Sequence, residues 1–373
     1  MGSGIEAERI EEGPVAINQP FDPEKIEVST RNMTVQLLLA RIKDKAINLK
    51  PDFQRRLGIW TDQRQSRLIE SLLLKIPLPT LYAAEDKDEN WAIVDGIQRL
   101  TAIARFVEPE AIEGTRLSLQ GLEYLDRDFR DKTFDQLPAR LKRRLLETEL
   151  VVHLIRHGTP EAVKYNIFAR INTGGMPLSS QELRHAIIPG PARNILKEWS
   201  ESPEFKAATA DSIKDERMAD RELVLRFVAF RLTHFRVYKS YDFDRFLVEA
   251  MRTLNTLDDS ARQRLHQEFL AAMVTAHGIF GNDAFRKRYR PNEVRYPINK
   301  ALFEAVSVNI AGLTDQDRET LTLRSNDVKN AFIELMNDKD FDSAISQGTG
   351  DIRKVKRRFE GIENLFRTII LAS

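Results

Sequence analysis

The sequence of 373 residues contains no cysteine. This absence excludes disulfide bonds, thiolate metal ligands and cysteine nucleophiles, and it is typical of a reducing compartment. No apolar run approaches the length of a membrane-spanning helix, and no secretory leader begins the chain. We therefore expect a cytoplasmic protein that does not associate with a membrane.

The chain also has little net charge, +1 at pH 7, since 57 Lys and Arg residues stand against 56 Asp and Glu residues. Any basic surface that binds nucleic acid must therefore be local. Histidine is scarce, with 6 residues in the chain. His153 and His157 have no second pair of ligands beside them in the sequence, so we expect no metal site there.

Length and composition favour a globular protein of two domains. Apolar residues make up 42% of the chain and charged residues 30%, which is sufficient for a substantial core. Residues 1–22 are acidic and aperiodic, which indicates a flexible arm. We predict an α+β fold, with a mixed α/β domain at residues 23–200 and an all-helical domain at residues 201–373.

Local patterns predict several elements of the first domain. Residues 80–83 and 91–94 read as two strands of a hairpin, and residues 150–155 as a buried strand. Thr61 is a suitable N-cap for a helix that follows it. Residues 139–146 predict a helix with four basic side chains, Arg140, Lys142, Arg143 and Arg144.

The stretch after the strand at 91–94 carries the strongest functional signal. Asp95 and Gly96 form a turn, and apolar residues at 100, 103, 104 and 107 then follow a helical period. The free N–H groups of residues 97–99 point out of the helix end, where the dipole is positive. Arg99 in this turn either faces a bound phosphate or pairs with a neighbouring carboxylate.

Two further stretches are candidates for the same site. Pro51 disfavours a helix, so residues 51–56 are predicted to form an extended loop in which Arg55 or Arg56 faces the same anion, or in which both are solvated. A helix that begins at residues 159–161 ends at residues 172–175, and a capping box of Ser179 and Glu182 begins the next helix. From its residues alone, this corner is an ordinary connection between helices.

Three motifs in order resemble a known family. Residues 94–100 resemble the DGQQR signature of the bacterial family typified by the N-terminal domain of GmrSD-type restriction enzymes, with Ile97 at the first Gln. Residues 51–60 resemble its P-x-F-Q-R…W motif, and residues 168–184 its F-x-R-I-N-x-G-G-x-x-L-x-x-x-E-L-R motif. The resemblance implies a ParB/sulfiredoxin-like fold for the first domain.

The resemblance also implies a site that binds and hydrolyses a nucleoside triphosphate, with Mg²⁺ as the accompanying ion. In this site Asp95 would orient a water molecule or Mg²⁺, and Arg55 would offset the charge that develops on the transferred phosphoryl group. Eight residues are candidates for binding the nucleotide: Gly96, Gln98, Arg99, Gln54, Asn172, Thr173, Gly174 and Gly175.

Related proteins take part in DNA restriction and anti-phage defence, and fused members carry an HNH-type nuclease domain. Beyond residue 190 this chain has only His234, His266 and His277, none in such a motif, so we expect no nuclease of that type. Cutting would then need a partner nuclease, and the oligomeric state stays open. The alternatives are a DNA-binding regulatory module that uses the nucleotide as a switch and, ranked last, a metal-dependent DNA nuclease.

Two basic stretches in the helical domain are candidates for contacts with a nucleic-acid backbone. The first lies at residues 285–290 and the second at residues 353–358. Such runs are either solvated helix faces or salt-dependent, sequence-independent phosphate contacts. The candidate side chains are Arg286, Lys287, Arg288, Arg353, Lys354, Lys356 and Arg357.

Overall fold

The computed structural model of the protein describes residues 27–49, 60–160, 163–164, 167, 179–213, 217–240 and 242–372. The chain forms two compact units, of which the first contains Phe21–Ile187 and the second Ile188–Ser373. A mixed sheet with helices is followed by helices, which confirms the predicted α+β class. The helix at Ala192–Ser200, which the sequence assigned to the first domain, lies in the second unit.

The first unit is built on a five-stranded mixed sheet with strand order β1-β5-β3-β4-β2. Strands β3 and β4 form the predicted hairpin, with a register shift between Tyr82 and Ala83. Strand β5 pairs antiparallel with β1 and parallel with β3, and β2 pairs parallel with β4. The strands are β1 (Val28–Thr34), β2 (Ile47–Asn48), β3 (Leu81–Glu85), β4 (Trp91–Asp95) and β5 (Glu149–Ile155).

Helices cover one face of this sheet because alternate strand residues are apolar. Leu81, Ile93 and Val152 point into a core formed with helix residues such as Ile69 and Phe106. The helices are α1 (Val35–Lys43), α2 (Asp62–Leu73), α3 (Ile97–Val107), α4 (Asp126–Phe129), α5 (Ala139–Glu147) and α6 (Ser180–Ile187). Short 3₁₀ turns lie at Pro109–Ile112 and Phe134–Gln136.

The predicted starts of two helices in this unit are confirmed in detail. Thr61 accepts a hydrogen bond from the Arg64 backbone N–H and caps α2. Ser179 Oγ accepts from the Glu182 N–H at 3.2 Å, and Glu182 Oε2 accepts from the Ser179 N–H at 2.5 Å. Both groups of the capping box are therefore satisfied, and α6 packs against β4.

In its described residues, the second unit consists of helices, short 3₁₀ turns at Phe235–Val237 and Gly281–Asp283, and one isolated bridge between Arg286 and Ile298. This confirms the predicted all-helical character of this part of the chain. The helices are α7 (Ala192–Ser200), α8 (Pro203–Ala208), α9 (Ala219–Leu232), α10 (Phe243–Thr256), α11 (Asp259–Phe280), α12 (Lys300–Ala311), α13 (Asp315–Leu323), α14 (Ser325–Met336), α15 (Lys339–Ser346) and α16 (Ile352–Leu371).

The centre of the second unit contains charged groups as well as apolar ones. Arg358 and Glu304 form an ion pair with both side chains fully buried. Arg226 joins them, with 3.1 Å from its Nη1 to Glu304 and 2.9 Å from its Nη2 to Glu222. Because each buried charge here has a partner of opposite sign, these groups join α9, α12 and α16 instead of opposing folding.

Among the described residues, no helix combines the length and the apolar character that crossing a bilayer requires.

Candidate functional site

The candidate site is the turn between β4 and α3. Gly96 is the N-cap of α3, and its backbone is left-handed with φ 99°. A Cβ at this position would overlap with Leu81 Cδ2. Only glycine therefore fits both the backbone conformation and the space beside β3.

Glycine at the N-cap also leaves the first turn of α3 without a side-chain cap. The first intrahelical bond runs from the Leu100 N–H to the Gly96 carbonyl, at 3.0 Å. The N–H groups of residues 97–99 precede it, at the end of the helix where the dipole is positive. The half-buried Gln98 lies in this same turn.

Arg99 is the buried centre of the turn, with 8% of the residue exposed. Its Nη2 group donates to Asp95 Oδ2 at 2.8 Å and to the Thr80 carbonyl at 3.1 Å, while Nη1 donates to the Pro79 carbonyl. Burial lowers the pKa of Arg99, and the Asp95 carboxylate opposes that shift. Of the two interpretations that the sequence left open, the structure has the ion-paired one.

Arg99 thereby fastens the start of β3 to the end of β4. Its guanidinium is directed at residues 79, 80 and 95. The side chain of Asp95 keeps 32% exposure despite the ion pair. The turn thus combines the uncapped start of α3 with a partly exposed carboxylate that Arg99 holds in place.

A row of polar side chains continues from Asp95 across the sheet. Tyr82 pairs with Asp95 on the neighbouring strand, His153 pairs with Tyr82, and Thr30 pairs with His153. The rings of Tyr82 and His153 lie 5.0 Å apart, and His153 Nδ1 lies 3.0 Å from Thr30 Oγ1. These residues occupy the face opposite the apolar core.

Sequence reasoning did not place Tyr82 or His153 near the turn. Alternation along β3 and β5 gives the signal that both residues leave the core face. Their proximity to each other and to Asp95 follows only from the strand order, which local patterns do not contain.

The other predicted nucleotide-site residues lie outside the described residues. This applies to Gln54 and Arg55 of the second motif, and to Asn172, Thr173, Gly174 and Gly175 of the third. The described end of the third motif is α6, which packs against the strand that carries Asp95. The roles assigned to these six residues stay predictions.

The first basic stretch of the second unit is engaged within the fold. Arg286 is 1% exposed and donates to the carbonyls of Asn282, Tyr296 and Thr209 at 3.0, 2.8 and 3.2 Å, and to Ser212 Oγ at 2.7 Å. This corrects its assignment as a nucleic-acid contact, because a buried guanidinium that bonds four protein groups does not reach a phosphate.

The neighbours of Arg286 also have acidic partners. Lys287 lies 3.4 Å from Asp342, and Arg288 lies 2.5 Å from Asp283. Both basic side chains are less than one-fifth exposed. Their charges are therefore largely neutralised within the fold.

The second basic stretch lies on the outside of α16 but is also paired. Arg357 lies 2.9 Å from Asp338, and Lys356 lies 3.8 Å from Glu360. Lys354 donates to the Gln347 carbonyl at 2.5 Å. Arg353, with 94% of its side chain exposed, is 3.9 Å from Asp351. Most of this stretch is thus a solvated face whose charge is balanced by nearby acids and carbonyls.

Within the described part of the chain, no three His, Asp or Glu side chains are grouped closely enough to hold a metal ion. The candidate acid at the turn, Asp95, is therefore not part of such a group among these residues.

The fold and the turn define the first unit as an α+β domain with a glycine-capped helix end at one edge of a mixed sheet. Residues 36–189 match the family described as GmrSD restriction endonuclease, N-terminal domain. The match contains the turn at Asp95–Arg99 and confirms the resemblance found in the sequence. Neither curated proteins nor solved structures give a significant match.

Proposed function

We propose that the first unit binds a nucleoside triphosphate at the Gly96 turn and hydrolyses it, in a protein that takes part in DNA restriction. The observation that carries the proposal is the start of α3 at a left-handed glycine, without a side-chain cap. Helix ends of this kind bind phosphates through backbone N–H groups and the positive end of the dipole. The family supports the link to restriction.

In this proposal the phosphates contact the N–H groups of residues 97–99. Asp95 orients Mg²⁺ or the attacking water through its exposed carboxylate oxygen, while its Oδ2 is held by Arg99. Arg99 acts as a positioning residue that fixes both the carboxylate and the turn. Charge compensation on the transferred phosphoryl group falls to Arg55.

The remaining parts of the site come from the sequence motifs. Gln54 and the stretch at residues 172–175 are proposed to close the site around the nucleotide. Duplex DNA is the proposed second partner, and cutting is assigned to a separate nuclease.

A nucleotide-controlled switch is the second candidate function. The ion pair between Asp95 and Arg99 favours it, because one oxygen of this carboxylate is already held by the guanidinium and only the other is left to contact Mg²⁺ or water. A switch would bind nucleotide at the same turn but release phosphate slowly.

The experiment that tests the proposal measures binding of ATP, GTP and CTP with Mg²⁺, followed by phosphate release with and without DNA. Binding with DNA-stimulated release supports the hydrolase. Binding without release supports the switch. Absence of binding to all three nucleotides contradicts both.

A further inference from the structure

A cleft in the first unit belongs to neither of these candidate functions. Its volume is about 590 Å³, and it lies between the end of α2, residues 75–78, α5 and the start of β5. Four of its lining residues are basic and two are acidic: Lys75, Arg140, Arg143, Arg144, Glu147 and Glu149. The cleft therefore carries an excess of positive charge.

Three of these cations lack an acidic partner within the part of the chain that the structure describes. Lys75, Arg140 and Arg143 are exposed and form no ion pair there. Arg144 differs, since it is half-buried and donates to the Leu73 carbonyl at 2.7 Å, where it holds α5 against the end of α2. Among the acids, Glu149 accepts a 3.4 Å bond from Asn32.

Lys75 occupies a position that usually favours glycine. It follows α2 with φ 62°, and its N–H bonds the Leu72 carbonyl at 3.1 Å while the Ile76 N–H bonds the Ser71 carbonyl at 2.8 Å. This pair of bonds is the Schellman ending of a helix, in which glycine is the common left-handed residue. A lysine here costs stability and places its ammonium group at the cleft.

The contrast with the second unit indicates where positive charge is available. Lys287, Arg288 and Arg357 lie within 4 Å of carboxylates. The cleft has four cations against the carboxylates of Glu147 and Glu149, so a net positive charge faces an external anion. Arg140 and Arg143 are three residues apart on α5, so they project from neighbouring positions of one helix face.

We propose that this cleft binds the phosphodiester backbone of duplex DNA through Lys75, Arg140 and Arg143. The inference rests on the DNA partner of the proposed function and assigns that partner to a surface. Exposed guanidinium groups bind phosphate oxygens in a bidentate manner, and a lysine adds a mobile point charge. Contacts of this kind are independent of sequence and depend strongly on salt.

The test measures binding of a short fluorescent DNA duplex to the full chain by anisotropy at several salt concentrations. Lys75→Gly is the first variant, because glycine suits the left-handed position and the fold should be at least as stable. Lys45→Gly is its matched control. Lys45 is also exposed, follows α1 with φ 60° and lies outside the cleft. The double variant Arg140→Ala/Arg143→Ala removes the two arginines.

We expect Lys75→Gly to weaken DNA binding roughly tenfold and to reduce the slope of log K against log salt by about 0.9, the value for one lost phosphate contact. The double arginine variant should reduce the slope by about twice that amount. Lys45→Gly should bind as the unmodified protein does. Melting temperatures of all variants establish that they are folded.

Equal DNA binding by the unmodified protein and the cleft variants overturns the assignment to this cleft and leaves the DNA partner in place. A protein that binds no DNA at low salt overturns the DNA partner and the cleft together, while nucleotide binding is scored separately. If Lys75→Gly weakens ATP binding but not duplex binding, the cleft is a mononucleotide site and the inference is wrong.

Discussion

Asp95 Oδ2 and Arg99 Nη2 lie 2.8 Å apart, one helical turn from each other, on either side of the glycine that begins α3. The same guanidinium donates to the backbone before β3, so one side chain joins both strands of the hairpin to the helix. The two charged residues of the DGQQR-like signature are thus held together by an ion pair across the turn.

Replacing Arg99 should therefore unfold the turn. Arg99→Ala removes three hydrogen bonds from a buried position and leaves two carbonyls and Asp95 without their donor. We expect a loss of about 2–4 kcal/mol in the free energy of unfolding, measured with urea. Arg116→Ala is the control, since Arg116 is 35% exposed in its ion pairs with Glu110 and Asp135. Arg116→Ala should lower the free energy of unfolding by no more than about 1 kcal/mol. An equal decrease in the Arg99→Ala and Arg116→Ala variants would contradict the structural role of Arg99.

Gly96→Ala should lower the free energy of unfolding by more than the strain of the left-handed backbone alone explains. The new Cβ would overlap with Leu81 Cδ2, in addition to the strain of φ 99°. We expect a loss of about 2 kcal/mol or more, together with loss of nucleotide binding.

Gly281→Ala measures backbone strain without a steric contact. Gly281 has φ 59° and ψ −136°, and a Cβ added there would have no neighbouring atom within 4 Å. This region is almost restricted to glycine, so thermal unfolding of the variant should show a backbone cost of about 1–3 kcal/mol. A loss at Gly96 smaller than the loss at Gly281 would show that movement relieves the contact with Leu81.

Asp95→Asn distinguishes the hydrolase from the switch. Asparagine keeps a side-chain oxygen that accepts from Arg99, so the turn is retained, but it removes the charge that orients Mg²⁺ or water. For the hydrolase we expect nucleotide affinity within a few-fold of the unmodified protein and phosphate release reduced about a hundredfold. Unchanged release in a folded Asp95→Asn protein would exclude the catalytic role of Asp95.

Arg286→Ala should lower the free energy of unfolding. Truncation would leave the carbonyls of Asn282, Tyr296 and Thr209 without this donor, and we expect a loss of about 3 kcal/mol or more. Arg353→Ala, at the most exposed cation of the second stretch, should change stability by less than about 0.5 kcal/mol. Chemical unfolding of the two variants in parallel measures the difference, and a small loss for Arg286→Ala would refute its structural role.

The sequence predicted the elements whose signals are local. The hairpin of β3 and β4, the cap at Thr61 and the capping box of Ser179 each depend on residues close together in the chain. The glycine turn at Gly96 was predicted for the same reason, because strand, turn and helix follow one another directly.

The partners of Arg99 and His153 depend on residues that are distant in the chain or on the register between strands. Arg99 bonds residues 79 and 80, and His153 meets Tyr82 only because β5 lies parallel to β3. The burial of Arg286 likewise required the packing of its segment on Thr209 and Ser212. Composition could identify these side chains as polar but could not say whether a protein group or a ligand would bind them.

The measurement that tests the account most directly is calorimetric titration of the unmodified protein and of Gly96→Ala with ATP, GTP and CTP in the presence of Mg²⁺, with Gly281→Ala as the folded control. We expect the unmodified protein and Gly281→Ala to bind at least one nucleotide, and Gly96→Ala to bind none. Nucleotide binding that survives in a folded Gly96→Ala protein, or no binding by the unmodified protein, would contradict the assignment of the Gly96 turn as a phosphate site.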